Sequence, residues 1–314
     1  MIEKTVISCS ASRSTGVVSL VRLESVVEDT AIELFRVSVT RLPEDVKKAL
    51  AEAKEREASE VARKQLEAIL LNIKLAEESG RPMCQDTGIL NLYLKAGDHF
   101  PALGGLPAIL RRAVKKATKT VPLRPNAVTP LSRMNTGDNT GEHVPYLNWT
   151  IVGGDSLELS VLPKGGGSEN MCALKMLSPS QGVKGIKQFV VDSVFSAGGQ
   201  PCPPTILGVG IGGGADIAMK IAKLAIMRPL DTRHPDAEIA SLEVELLELV
   251  NATGVGAMGL GGSTTSLGVN VEWAHCHTAS LPVALAVQCW AARRATARIT
   301  RDGNVRYLTH RRRG

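Results

Sequence analysis

The sequence predicts a mixed protein of helices and sheets, of the α/β or α+β class. Three observations carry this. Stretches with apolar residues every three or four positions alternate with short runs rich in Val, Ile and Leu. Glycine- and proline-rich loops separate the two kinds of stretch. The apolar residues are aliphatic: aromatics are 3% of 314 residues, so the core must be built from Leu, Ile, Val and Ala.

The elements follow in order. Residues 1–22 cluster Ser, Thr and Arg with weak periodicity and read as a poorly structured extension. They hold no apolar core of a secretory signal and no clear basic amphipathic helix. From Leu23 the pattern is helical, with Val26, Val27, Ile32, Leu34 and Phe35 on an apolar face. Pro43, Glu44 and Asp45 mark a helix start, where acids favour the helix dipole, and residues 43–80 read as two helices. Residues 91–95 read as a strand and 106–119 as a basic helix. Residues 147–162 read as two strands around a Gly-Gly-Asp turn. A helix at 180–197, a buried strand at 205–211 and a helix at 214–227 come next. Residues 235–252 form an acidic amphipathic helix, and 280–300 alternate apolar and basic residues.

Composition excludes several functions. No apolar stretch of about 20 residues lacks charge or glycine, which argues against a membrane span. Base stacking on nucleic acid needs aromatic platforms, and this chain has few. The net charge of +6 suits a small anionic metabolite. Much of the excess lies late, in Arg293, Arg294, Arg298, Arg301, Arg306 and Arg311 to Arg313, and reads as a solvated or partner-facing basic stretch. Six cysteines stand at 9, 84, 172, 202, 276 and 289 without a C-x-x-C pair. A cytoplasmic chain with reduced thiols is expected, its special cysteines serving as metal ligands or nucleophiles.

Gly208-x-Gly210-x-x-Gly213 follows a strand-like run and opens a helix, the setting of a dinucleotide site. Asp231 could serve as its ribose acid. Against this, Arg228-Pro229 breaks the expected second strand, and a turn for close helix packing explains the glycines as well. Cys84, Cys202 and Cys289 sit in or beside loops, two of them rich in Gly or Pro, and such sulfurs are either ligands facing a cavity or inert thiols. Arg124 lies in a constrained loop, and Lys164-Gly165-Gly166-Gly167 forms a nest that can hold an anion through backbone amides. With Asn135 to Gly141, His234, His275 and His277, these suggest an anion site walled by loops.

At these residues the chain resembles the iron–sulfur (class I) fumarase and tartrate dehydratase family, specifically the α subunit of the two-subunit form. The likeness runs from about Leu23 to about Tyr307. It is carried by CQDTG at 84–88, LRPNAV at 123–128, NTGDNTGEHVPY at 135–146 and KGGGSEN at 164–170. GGQPCPPTILGVGIGGGAD at 198–216, RPLDTRHPD at 228–236, GLGGSTTSLGV at 259–269 and HTASLPVALAVQCWAARR at 277–294 complete it.

The resemblance implies an α/β fold with mixed sheets flanked by helices, an Fe–S hydro-lyase α-type catalytic domain over 23–307, and a basic tail at 308–314. It implies a [4Fe-4S] cluster on Cys84, Cys202 and Cys289, with the fourth iron open to substrate. Cys276 falls outside the matched positions, and Cys172 reads as an ordinary thiol. Hydration of fumarate, or dehydration of malate, needs activation of a poor hydroxide leaving group and stabilisation of developing carboxylate charge, both within reach of a Lewis-acidic iron. It also needs a general acid and a base. The resemblance places Gln85, Asp86, Arg124, Gly166 and His277 at substrate. Arg124 would clamp a carboxylate, Gly166 offer an amide, Asp86 act as acid and His277 contact substrate. Single-chain relatives carry a further C-terminal domain that this chain lacks, which implies a separate β subunit and a hetero-oligomer. The expected activity is fumarate hydratase, a tricarboxylic acid cycle reaction, with no nucleic-acid or membrane partner. The alternatives are an L-tartrate dehydratase or mesaconate hydratase α subunit and, outside the hydratases, a dinucleotide-dependent oxidoreductase.

Overall fold

The computed structural model describes residues 19–121 and 123–310. Cys9 and the terminal arginines 311–313 lie outside them.

Ser19 caps the first helix, α1 (Leu20–Thr40), by accepting from the Arg22 amide. The helix therefore starts three residues before the boundary drawn at Leu23. Helices α2 (Glu44–Arg56) and α3 (Glu60–Ser79) follow, the latter capped by Ser59 and closed by Gly80 in the left-handed region. Then come strand β1 (Ile89–Gly97), helix α4 (Leu106–Thr120), strands β2 (Tyr146–Val152) and β3 (Leu157–Lys164), and the one-turn helix α5 (Gly166–Glu169). Strand β4 (Ala173–Leu177), helix α6 (Gly182–Ala197), strand β5 (Thr205–Gly212), and helices α7 (Ala215–Ala225) and α8 (Ala237–Asn251) lead to β6 (Ser266–Ala274). Strands β7 (Leu281–Gln288), β8 (Ala295–Ile299) and β9 (Val305–Tyr307) complete the order.

Two mixed sheets result, β2-β1-β3-β8-β9 and β4-β7-β5-β6. The fold is thus α/β with mixed sheets flanked by helices. The turn at 153–155 does not make a hairpin: β1 lies between β2 and β3, parallel to the first and antiparallel to the second. Helices α1 and α4 cover one face of the first sheet through Leu34, Phe35, Ile109 and Val114, against Leu92, Leu94, Leu159 and Ala297. Helices α6 and α8 cover one face of the second through Val190 and Leu246, against Val209, Val271 and Leu285. Helix α7 fills the space between the sheets, where Ala218, Ala222 and Ile226 meet Tyr93 and Ala284.

The glycine motif serves that packing. A Cβ on Gly208 would lie 2.1 Å from the Ala222 carbonyl oxygen, and one on Gly210 would lie 2.0 Å from that of Ala218. Only glycine lets β5 approach the α7 backbone so closely. These two glycines face a helix backbone rather than a phosphate. Among the described residues no helix is long and apolar enough to cross a membrane.

The late arginines are not one basic stretch. Arg293 and Arg294 are 1% and 4% exposed, on the link between β7 and β8. Arg298 and Arg306 lie on β8 and β9. The segment read as a tail from 308 also packs: Thr309 accepts from the Thr296 amide, and His310 is 7% exposed. The physical reason is pairing that sequence spacing hides, since Arg294 meets Asp45 on α2 at 2.6 Å.

Candidate functional site

Strand register brings the chemistry-bearing loops together. Ile89 at the start of β1 pairs with Lys164 at the end of β3, so the 84–88 loop lies beside the glycine nest. Ala295 at the start of β8 pairs with Val161, which sets the end of the 289–294 link at the same edge. In the second sheet Ile206 pairs with Gln288, so Cys202 before β5 and Cys289 after β7 share one end. The 289–294 link runs from that end to the first sheet and joins the two groups.

Hydrogen bonds fix the loops. Asn72 of α3 donates to the Met83 carbonyl at 2.8 Å and holds the start of the Cys84 loop. Asp86 Oδ2 accepts from the Gly166 amide at 2.7 Å, and Oδ1 accepts from the Gly88 amide at 2.9 Å and Asn126 Nδ2 at 3.3 Å. The Arg124 amide donates to Thr87 Oγ1 at 3.0 Å, and Asn139 Nδ2 donates to the Arg124 carbonyl at 3.1 Å. The motifs at 84–88, 123–128, 135–146 and 164–170 are therefore one bonded assembly. Cys202 has φ of 55°, and its carbonyl accepts from the Trp290 amide at 3.2 Å, tying two cysteine loops together.

Cys84, Cys202 and Cys289 are free thiols packed against one apolar cluster with Met83, Trp290 and residues of α2 and α3. Burial pushes the Cys202 thiol above its ordinary value, and Cys289 and Cys84 push it further the same way. Burial also raises the Cys289 thiol, against the pull of Arg293 and Lys164. The three sulfurs thus lie within electrostatic reach of one another, with two cations beside them. Among the described residues no set of three or more His, Cys, Asp or Glu closes on a single metal ion. A four-iron cluster asks for a wider arrangement, one thiolate on each of several irons. Three unpaired thiols on three separate loops, bordered by cations, fit that donor set.

Around them the chain places mixed polarity. Arg124 and Gln85 are exposed. Gln85 Oε1 accepts weakly from Cys84 Sγ at 3.6 Å. Lys164 is 2% exposed and donates to Ser168 Oγ at 2.7 Å. Burial lowers its ammonium from the ordinary value, while Cys172, Glu169 and Cys289 act in the other direction. Glu169 is held between Lys164 at 3.4 Å and Lys223 at 2.5 Å. Burial alone would raise its carboxyl, but the two lysines prevail and lower it.

Two expected roles meet geometry that the sequence does not show. The Gly166 amide, expected to face substrate, is already bonded to Asp86. Asp86, expected as an acid, has both oxygens engaged by three donors and anchors the nest; acting as an acid would require it to release Gly166. His277 does not join the other residues. It lies on the exposed loop between β6 and β7, where Nδ1 accepts from the Ala279 amide. Cys289 follows the opposite end of β7, about 23 Å along the strand. Within one chain His277 is outside this site, and Cys276 lies beside it at the far end. His234 packs by Glu243 and Glu272 near α8.

Arg293, Lys164 and Asn126 complete the assembly; the sequence reading gives Arg293 only a place in a basic stretch, names Lys164 only as the first residue of the nest, and leaves Asn126 unassigned within LRPNAV. Their signal was position alone, each standing inside a motif that also carries a site residue.

The family described as fumarate hydratase (Fumerase) matches residues 28–298. A relative from Methanocaldococcus jannaschii named "Putative L(+)-tartrate dehydratase subunit alpha" is 51% identical over 285 residues, covering 89% of this chain and 99% of its own. An L(+)-tartrate dehydratase subunit alpha from Escherichia coli (strain UTI89 / UPEC) is 39% identical over 272 residues, covering 86% and 90%. The corresponding chain of Escherichia coli (strain K12) is 38% identical over the same span.

Proposed function

We propose that this chain, which belongs to the fumarate hydratase (Fumerase) family, is the cluster-bearing α subunit of a two-subunit hydro-lyase acting on a four-carbon hydroxy-dicarboxylate, with L(+)-tartrate as substrate. The observation that carries this reading is the convergence of three unpaired thiols from three strand-end loops, one of them tied by Thr87 to the backbone of the exposed Arg124. Cys84, Cys202 and Cys289 would hold a [4Fe-4S] cluster, which when bound supplies a Lewis-acidic iron.

The chain's own groups do the rest. Arg124 makes no ion pair among the described residues, and its planar fork is free to take a carboxylate through two parallel bonds. The bonds from Thr87 and Asn139 to its backbone hold that fork at the rim. Gln85 adds a neutral amide next to Cys84. The Asp86–Gly166 bond couples two roles. A substrate oxygen that takes the Gly166 amide must displace the Asp86 carboxylate, which is then free to move a proton. Helices α2 and α3 close the apolar side of the cysteine cluster and limit water there. The open side, with Gln85 and Arg124 exposed, is where a β subunit would complete the site. His277 has no role within the same chain; any contact would come from a second copy.

The relatives' names favour tartrate over the expected fumarate. Fumarate and malate form the second reading, favoured by the family description. The test is an anaerobic assay of the chain purified with its β subunit, using L(+)-tartrate and (S)-malate. A kcat/KM at least tenfold higher for tartrate is expected. A tenfold preference for malate would install the second reading, and turnover of neither would sink both.

A further inference from the structure

We infer that Arg293 is the built-in counter-ion of the three-cysteine site, a positioning residue that balances the site's negative charge and braces its Cys84 and Cys289 loops. The inference rests on the cluster reading above. Its ground is a buried charge with no carboxylate in ion-pair distance, the nearby Asp86 carboxylate being turned to other donors. Arg293 is 1% exposed and is the largest of the fully buried side chains. The other buried arginine, Arg294, meets Asp45, and the partly buried Arg228 meets Glu243 and Glu272. Among the described residues Arg293 has no ion pair. Asp86 gives it only the backbone carbonyl, which accepts from Arg293 Nη1, and turns its carboxylate to Gly166, Gly88 and Asn126. The buried Arg293 Nε, like that of Arg294, has no hydrogen-bond partner, but of the two only Arg293 also lacks an ion pair among the described residues.

Such a group is costly. A buried charge left uncompensated strongly destabilises a fold. The anion that offsets it must lie at the site. Cys289 stands four residues earlier on the same link. The fold also makes room for it, since a Cβ on Gly165 would lie 2.9 Å from Arg293 Nη2. Lys164 is the second nearby cation, but its charge is already met by Glu169. Arg293 therefore answers the charge of the thiolates and of the cluster they would carry. Because the link that bears it also bears Cys289, its bond to Asp86 joins the loops of two ligands.

The full-length chain, reconstituted anaerobically with iron and sulfide and free of substrate, tests this. Wild type, Arg293→Gln and Arg293→Lys would be compared for iron content and cluster midpoint potential, with circular dichroism to verify folding. Removing a positive charge makes the cluster harder to reduce. Arg293→Gln is expected to shift the redox equilibrium tenfold or more, a fall of about 59 mV for one electron, or to lose its iron while still folded. Arg293→Lys keeps the charge and is expected to hold iron at near wild-type potential. A folded Arg293→Gln with wild-type iron and potential would overturn the inference. So would a folded Arg293→Lys that lacks the cluster or shifts as far as the glutamine variant, and this arm decides if Arg293→Gln does not fold. Absence of iron from wild type would instead sink the cluster reading itself.

Discussion

Arg293 and Arg294 are neighbours in sequence with different tasks in the fold. One points its charge at the cysteine site, and the other pairs with Asp45 of α2. Sequence alone gives both as members of a basic stretch, because their partners lie more than two hundred residues away. Cysteine identity was more legible: motif position picks Cys84, Cys202 and Cys289, and the fold gathers those three. His277 shows the opposite case, since its motif is continuous with Cys289 while the extended strand between them carries it away. His310 illustrates a residue whose role only burial reveals. Burial lowers its imidazole to about 4, and Arg41, Arg294 and Lys47 act the same way, against a bond to the Arg41 carbonyl. The folded pKa lies below the unfolded value near 6.5, so the unfolded chain binds more protons between those two values. Stability is therefore full above about pH 6.5 and falls as pH drops toward 4, by up to about 3 kcal/mol from this residue. Melts at pH 7.5 and 5 should show a drop that His310→Gln reduces; an equal drop in both would contradict the assignment.

At the scale of elements, the long helices and strands β1, β2, β3 and β5 are legible, because each shows the period of its own backbone, whereas β4, β6 and β9 give no such signal and 280–300 reads only as alternating residues. Pairing is not legible. The two strands flanking 153–155 look like a hairpin, yet β1 takes the place between them. Local sequence carries no record of a strand arriving from fifty residues away. The glycine run on β5 was legible as a strand–helix turn but ambiguous in purpose, and packing against α7 resolves it. Gly210→Ala would force its methyl group into the Ala218 carbonyl, 2.0 Å away. Overpacking of this kind costs about 1–3 kcal/mol, sometimes more. Chemical denaturation of Gly210→Ala should show a loss in that range. A neutral substitution accompanied by loss of nicotinamide binding would restore the dinucleotide reading.

The whole molecule places its chemistry where its two sheets meet. Each sheet contributes strand ends, and the 289–294 link crosses between them carrying Cys289, Arg293 and the Arg294–Asp45 ion pair. The family resemblance was legible because many ordered motifs were present, and the pairing of β1, β3, β5, β7 and β8 explains why residues so far apart form one assembly. The substrate was less legible. Tartrate and malate differ by one hydroxyl, and the groups that meet it would include those of a separate β subunit.

The measurement that most directly tests the central claim is iron and acid-labile sulfide per chain after anaerobic purification, in wild type, Cys289→Ala and Cys276→Ala. About four of each is expected in wild type and in Cys276→Ala, with the cluster lost from Cys289→Ala. Retention of full iron by Cys289→Ala, or its loss from Cys276→Ala alone, would contradict the three-cysteine site.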